Sequence, residues 1–108
     1  MAGQRFRHPA LAASGLFAWF DGPFGGVPVQ LVGNLTTGEY VYFGARFDRA
    51  RLVVHSSRDA WERDEKPLAS FEQKFEIEND IGVGLMEADQ CVELILSWLS
   101  QYRSSRAA

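Results

Sequence analysis

The sequence has 108 residues, of which 46% are hydrophobic and 13% aromatic, and its formal net charge at pH 7 is −3. This length suits a single domain, and the apolar content is enough for a real core, which excludes a chain that is disordered throughout. The single cysteine excludes a disulfide-stapled scaffold, and no apolar run reaches the roughly 20 residues that a membrane-spanning helix needs.

The charge is unevenly distributed along the chain. Residues 1–58 carry six arginines against three carboxylates, whereas residues 59–108 carry five basic side chains against eleven acidic ones. A strongly basic nucleic-acid-binding protein is therefore not expected, although a local basic patch fits the first half. The N-terminus lacks the apolar stretch of a signal peptide, and the lone thiol of Cys91 fits a reducing compartment, so we expect a cytoplasmic protein.

The first half of the chain is typical of antiparallel strands. Residues 1–14 are expected to form a flexible arm, or a short helix near Leu11, before a domain that covers residues 15–103. Residues 104–108 are expected to form a flexible tail. Short aromatic or β-branched runs, separated by glycine-containing turns, favour strands in between. The first four predicted strands cover residues 15–20, 28–32, 39–47 and 52–57.

The second half ends in a long helix. Residues 58–70 lack a clean period and are interpreted as a loop with one helical turn around Trp61, and residues 71–78 alternate as a further strand. Apolar residues then recur at helical spacing over residues 87–102. The predicted fold class is α+β: a four- to five-stranded antiparallel meander with this C-terminal helix packed on one face.

The apolar face of the predicted helix is broad. Cys91 lies within it, between Ile95 and Trp98 on the helical wheel, so we expect a buried and inert thiol. A face this wide suits a helix that fills the groove of a twisted sheet. The alternative is that its edge at Leu94 and Trp98 stays exposed and forms a homodimer contact.

The hairpin between the third and fourth strands has a predicted register. Apolar side chains that share a face belong together in the core, which predicts that Phe47 opposes Leu52. Ala45 then opposes Val54, and residues 48–51 form the connecting loop.

The opposite face of this hairpin is predicted to face solvent and to offer a recognition platform. It carries two tyrosines, an arginine and an imidazole, and tyrosine and arginine are enriched at binding hot spots. The alternative is an ordinary solvated sheet face, because a sheet that is wet on one side is common. The side chains concerned are Tyr40, Tyr42, Arg46, Val53 and His55, with a dimple at Gly44.

The sequence predicts neither a cofactor nor a metal site. It lacks the motifs of phosphate loops, dinucleotide sites and nucleophile elbows. Cys91 and the two histidines, His8 and His55, have no metal-ligand spacing. Four carboxylates match calcium-loop positions, but Ile81 stands where that loop requires glycine. These carboxylates are Glu76, Glu78, Asp80 and Glu87.

Together these patterns favour a non-enzymatic, acidic protein-binding domain without a membrane partner, such as a bacterial inhibitor or immunity-type factor that occludes another protein. Glu76 and Glu78 would steer a basic partner. The alternative is a single-stranded nucleic-acid-binding domain that combines the tyrosines with Arg46, Arg49 and Arg51. An enzyme ranks third. The expected binding anchors are Tyr40, Tyr42, Arg46, Arg51 and His55.

Overall fold

The described part of the chain forms one antiparallel sheet and three helices. The computed structural model describes residues 8–24, 29–46, 49–74 and 88–107. The strands are Phe17–Phe24 (β1), Val29–Leu35 (β2), Tyr40–Arg46 (β3), Arg49–His55 (β4) and Ala69–Lys74 (β5). The helices are Pro9–Ala13 (α1), Arg58–Glu62 (α2) and Ala88–Ala107 (α3). The strand order is β1-β2-β3-β4-β5, which confirms the predicted α+β meander with a C-terminal helix.

β1 continues past its predicted end at Phe20. Asp21 pairs with Val32, and Phe24 pairs with Gln30, where the sequence predicted a turn because of its glycine and proline. The register shifts between Asp21 and Phe24, and such a bulge accommodates residues that regular pairing disfavours. β1 therefore stays alongside β2 beyond the predicted turn.

The β3–β4 hairpin is tighter than predicted. Phe47 was expected opposite Leu52, and Ala45 opposite Val54, and both pairings are wrong. β4 begins at Arg49, because its arginines alternate with buried residues and need no loop to keep them out of the core. The observed partner of Leu52 lies an even number of residues from the predicted one along β3. Because side chains alternate with a period of two, Leu52 faces the core in both registers. The observed pairs include Val41–Val54, Phe43–Leu52 and Ala45–Ala50.

The inner face of the sheet shares one hydrophobic core with α3. Phe43 is fully buried, and its ring centroid lies 6.3 Å from that of Trp98 on α3. Trp98 also stacks on Phe71 of β5, with centroids 6.0 Å apart. Trp98 thus links the centre of the sheet to its β5 edge. Buried residues of the same cluster include Leu31, Val41, Leu52, Ile95 and Leu99.

α1 attaches the N-terminal segment to this core. Leu11 is buried in the core cluster, which matches the short helix expected near that residue and not a flexible arm up to residue 14. His8 caps α1 by accepting a backbone N–H at Nδ1. Its Nε2 lies 2.8 Å from Asp89 Oδ1, near the start of α3. Residues 1–7 of the predicted arm lie outside the described residues.

α3 is longer at its C-terminal end than the sequence predicted. It extends to Ala107, past the expected end at Tyr102, so residues 104–107 are helical and not a tail. Arg106 lies in the last turn, where a positive charge interacts favourably with the helix dipole. Within the described residues, no helix combines the length and the apolar character needed to cross a membrane.

Phe43→Ala should lower the free energy of unfolding by about 3–5 kcal/mol, because it removes a fully buried ring from the middle of the core. Urea unfolding followed by circular dichroism measures this loss. Phe71→Ala is the matched control, since Phe71 is only half-buried at the sheet edge and should cost clearly less. Equal losses for the two variants would contradict a core centred on Phe43.

Cys91 should react slowly with a thiol reagent in native buffer and quickly once urea unfolds the chain. The side chain is fully buried, and burial raises the pKa of its thiol to about 11, so little thiolate forms at neutral pH. Ser100→Cys in a Cys91→Ala background places a thiol at an exposed position of the same helix and should label at once. Fast native labelling of Cys91 itself would show that α3 is packed differently.

Candidate functional site

α2 covers part of the outer sheet face that the sequence predicted to be open. Ser57 caps this helix, its hydroxyl accepting the N–H of Ala60 at 3.0 Å, and Ala60 is buried. Trp61 then lies over two tyrosines of β3, with ring centroids 5.2 Å from Tyr40 and 5.6 Å from Tyr42. A helical turn was expected around Trp61, but its position on the sheet was not.

Three residues expected on the solvent-facing platform are therefore buried. Tyr40 is 3% exposed, and burial raises the pKa of its hydroxyl. His55 is 5% exposed, and its Nε2 lies 3.0 Å from the carbonyl oxygen of Glu65. That carbonyl can only accept, so Nε2 carries the proton, and the buried Nδ1 has no partner among the described residues. Together with Val53, these side chains hold the α2 segment to the sheet rather than face a partner.

Tyr42 is the tyrosine that remains half-exposed, and its ring is fixed on several sides. It stacks on Trp61 at an interplanar angle of 23°, and its hydroxyl accepts a 3.0 Å hydrogen bond from Gln30 Nε2. A Cβ added to Gly44 would lie 2.9 Å from that hydroxyl, so the ring already fills the dimple expected at Gly44. The missing glycine side chain thus allows Tyr42 to lie along its own strand.

Arg51 lies on β4, directly opposite the glycine that this ring covers. It is exposed and pairs across the hairpin with Gly44, while half-buried Val32 pairs with Tyr42 on the other side. These four side chains on the outer face form what we call the aromatic patch: Val32, Tyr42, Arg51 and Trp61. Arg49 is also exposed and lies 3.7 Å from Glu72.

Other residues predicted to bind a partner are not found at this patch in the described part of the chain. Arg46 is placed only by its backbone, which pairs with Arg49 at the end of β3. Glu76 and Glu78 lie outside the described residues, together with the rest of the calcium-like pattern. The described residues contain no group of three metal-ligating side chains.

The predicted dimer edge on α3 is also placed differently. Trp98 is 7% exposed and packs inside the domain against Phe43 and Phe71. Leu94 is half-buried against the same core. The expectation of an exposed apolar edge at Trp98 is therefore wrong, because the rings of Phe43 and Phe71 pack against its indole.

A cleft that sequence reasoning missed lies where β2 turns into β3. Its volume is about 560 Å³, and the last turns of α3 form one wall. We call it the C-terminal cleft. Residues from α3 that line it are Leu99, Tyr102, Arg103 and Arg106. Residues from elsewhere include Leu16, Leu35, Thr36, Thr37, Glu39, Ser56 and Leu68.

An ionised carboxylate anchors the cleft. Tyr102 Oη donates a 2.6 Å hydrogen bond to Glu39 Oε2, and the Thr37 hydroxyl donates to the other oxygen. Burial raises the pKa of Glu39, but these two hydroxyls, its own backbone N–H and the nearby Arg106 more than offset it, so the pKa lies below its ordinary value of 4.5. Burial and the bond to Glu39 raise the pKa of Tyr102 to about 12.

The sequence carried one signal of this cleft. Leu99, Tyr102, Arg103 and Arg106 recur at the spacing of a single helix face, so an apolar stripe passes into a basic one. Glu39 had no such signal, because it meets Tyr102 only through the fold and lies 63 residues away.

Comparison of the chain with protein-family models, with curated proteins and with solved structures finds no match. The assignment of a function therefore depends on the chemistry of the aromatic patch and of the C-terminal cleft.

Tyr102→Phe should lower the free energy of unfolding by about 1 kcal/mol at pH 7, less than the ~1.5–3 kcal/mol of a buried bond to a charged group, because Glu39 is only half-buried. Since the pKa of Glu39 is lowered in the native state, its contribution is present above its ordinary pKa of 4.5. It is lost as the pH falls through the native pKa. Urea unfolding of both proteins across the acid range measures this loss.

Tyr42→Phe is the matched control, because the Tyr42 hydroxyl accepts from the neutral amide of Gln30. Its effect on stability should stay constant over the same acid range. A Tyr102→Phe effect that is equally independent of pH would contradict a hydrogen bond to an ionised Glu39.

Proposed function

We propose that this chain is a non-enzymatic protein-binding domain that recognises its partner through the aromatic patch. The observation that carries this proposal is the pair of stacked, half-exposed rings of Tyr42 and Trp61, with exposed Arg51 opposite Gly44 on the neighbouring strand. Trp, Tyr and Arg are the residues that most often dominate the energy of protein interfaces.

The preorganisation of the patch supports the same function. Gln30 holds the Tyr42 hydroxyl, Gly44 lies beneath the ring, and Trp61 stacks on it. A side chain that is already fixed in the free protein loses little conformational entropy on binding. Tyr42 is therefore a better anchor than Tyr40 and His55, whose side chains are used inside the domain.

The polar part of the surface favours a partner with hydrogen-bond acceptors. Arg51 offers donors to a carboxylate or a backbone carbonyl of the partner, and its rigid fork suits two bonds at once. Arg49 is near it but already contacts Glu72. Glu76 and Glu78 lie outside the described residues, and their part in the proposal rests on the sequence. Their carboxylates would speed the approach of a basic region of the partner.

Nucleic-acid binding remains the second candidate, and the geometry supports it less. Bases stack on aromatic rings that present an open face. Tyr42 instead packs against Gly44 and stacks on Trp61, and Tyr40 is buried.

We propose that the protein acts in the cytoplasm. Its most specific role would be that of a bacterial inhibitor or immunity-type factor, which blocks its partner by covering it. The proposed homodimer contact would now rest on Leu94 without Trp98, because the Trp98 side chain is buried in the core.

A partner isolated on the wild-type chain should lose affinity when the patch is altered. Tyr42→Ala and Trp61→Ala should each weaken the complex by at least about 2 kcal/mol, and Arg51→Ala by a similar amount, measured by titration calorimetry with the purified partner. Arg103→Ala is the matched control, since it removes an exposed arginine of α3 far from the patch residues in the fold. Urea unfolding of each variant separates loss of binding from loss of folding.

The outcome that contradicts the proposal is a partner whose affinity ignores all three patch variants. A labelled single strand of random sequence tests the second candidate in parallel. Binding of that strand that falls steeply with salt and disappears in Arg51→Ala would favour nucleic acid over protein.

A further inference from the structure

The C-terminal cleft combines an apolar surface with two guanidinium groups. Leu16 is half-buried beside the cleft, and the buried side chains of Leu35 and Leu99 lie behind its wall. Leu68 is 46% exposed at its rim, the one large hydrophobic side chain exposed to that degree in the described part of the chain. A volume of about 560 Å³ is within the ~300–1,000 Å³ that small-molecule sites occupy. The cleft is thus large enough for the apolar portion of a ligand.

The charge of the cleft favours an anion. Arg103 and Arg106 are both exposed, and neither has a carboxylate within 4.0 Å among the described residues. Glu39 is the one acidic side chain among the lining residues, and both of its oxygens already accept from Thr37 and Tyr102. Its charge partly offsets that of the arginines and leaves the cleft with an excess of positive charge.

The guanidinium of Arg106 is partly positioned in advance. Its Cζ lies 5.9 Å from the centroid of the Tyr102 ring, at cation–π distance, and Glu39 holds the hydroxyl of that ring. A second cleft, of about 580 Å³, shares Leu68, Tyr102 and Arg106 with the first and continues along β5 to Phe71. Arg106 therefore lines both clefts, between the leucines of the first and the β5 edge at Phe71.

From this arrangement we propose that the C-terminal cleft binds an apolar chain that ends in a carboxylate. The leucines take the chain, and Arg103 and Arg106 take the carboxylate. The shared chemistry has two sources, a free aliphatic acid and the C-terminal residue of a peptide. The site does not use the aromatic patch, so its failure would leave the proposed function intact.

Octanoate is the first probe, titrated into the full chain labelled with nitrogen-15 and followed by amide shifts. Saturable shifts are expected around Leu68 and in the last turns of α3. Arg103→Gln combined with Arg106→Gln should weaken binding about tenfold, the summed effect of two exposed ion pairs. Leu68→Ser should also weaken it, and because Leu68 is exposed this change should leave the fold intact. Arg58→Gln on α2 is the matched control, because this exposed side chain belongs neither to the cleft nor to the aromatic patch, and it should leave the dissociation constant unchanged.

Three further ligands separate charge from apolar contact and one source from the other. Neutral 1-octanol should bind more weakly than octanoate, and its affinity should not respond to the arginine variants. A short peptide that ends in Leu-Leu with a free carboxylate, compared with its C-terminal amide, tests the peptide source. Tighter binding of the peptide acid than of octanoate, with the same dependence on Arg103 and Arg106, supports the site with a peptide as its ligand. The proposal is overturned if neither carboxylate saturates the protein, or if octanoate binds no better than octanol.

Discussion

The contact of Trp98 with Phe43 and Phe71 is the interaction on which the arrangement of this protein depends. One indole joins α3 both to the buried centre of the sheet and to its β5 edge, so the rotation of the helix about its axis is fixed. Leu99 and Tyr102, one residue and just over one turn further on, are then directed to the end of the sheet where β2 turns into β3. The C-terminal cleft is therefore a consequence of how the core packs and needs no separate structural element.

Different helices lie against the two faces of the sheet. The inner face shares its buried core with α3, whereas among the described residues the outer face is covered by the single turn of α2. Tyr40, Val53 and His55 are buried there, and Arg51 and Gln30 stay exposed. Tyr42 and Trp61 stack at the edge of the area that α2 covers. Both side chains are half-exposed, because each ring is packed against the domain over part of its surface and reaches solvent over the rest.

The sequence predicted the strands and the core face well because alternation depends only on local chemistry. The β3–β4 register was wrong by an even number of residues, and a period of two cannot reveal such an error, since Leu52 is directed to the core in either register. Alternation likewise placed Tyr40 and His55 on the outer face correctly, but it contains no information about what folds over that face. Residues 58–62 are too short for a helical period, so the cover by Trp61 could not be predicted.

Two successive residues connect the C-terminal cleft with the buried ring beneath Trp61 of the aromatic patch, and the backbone is held in place there. Glu39 reaches the cleft, while Tyr40 lies under Trp61 on the outer face. The backbone between them is fixed: Leu35 N–H donates to Glu39 O at 2.9 Å, and Gly38 N–H donates to Leu35 O at 2.9 Å. Gly38 has φ of +105°, a conformation that glycine adopts without strain, so the turn does not resist this geometry. A ligand on one side would have to break these bonds to move the other side, and the two surfaces are therefore expected to bind independently of each other.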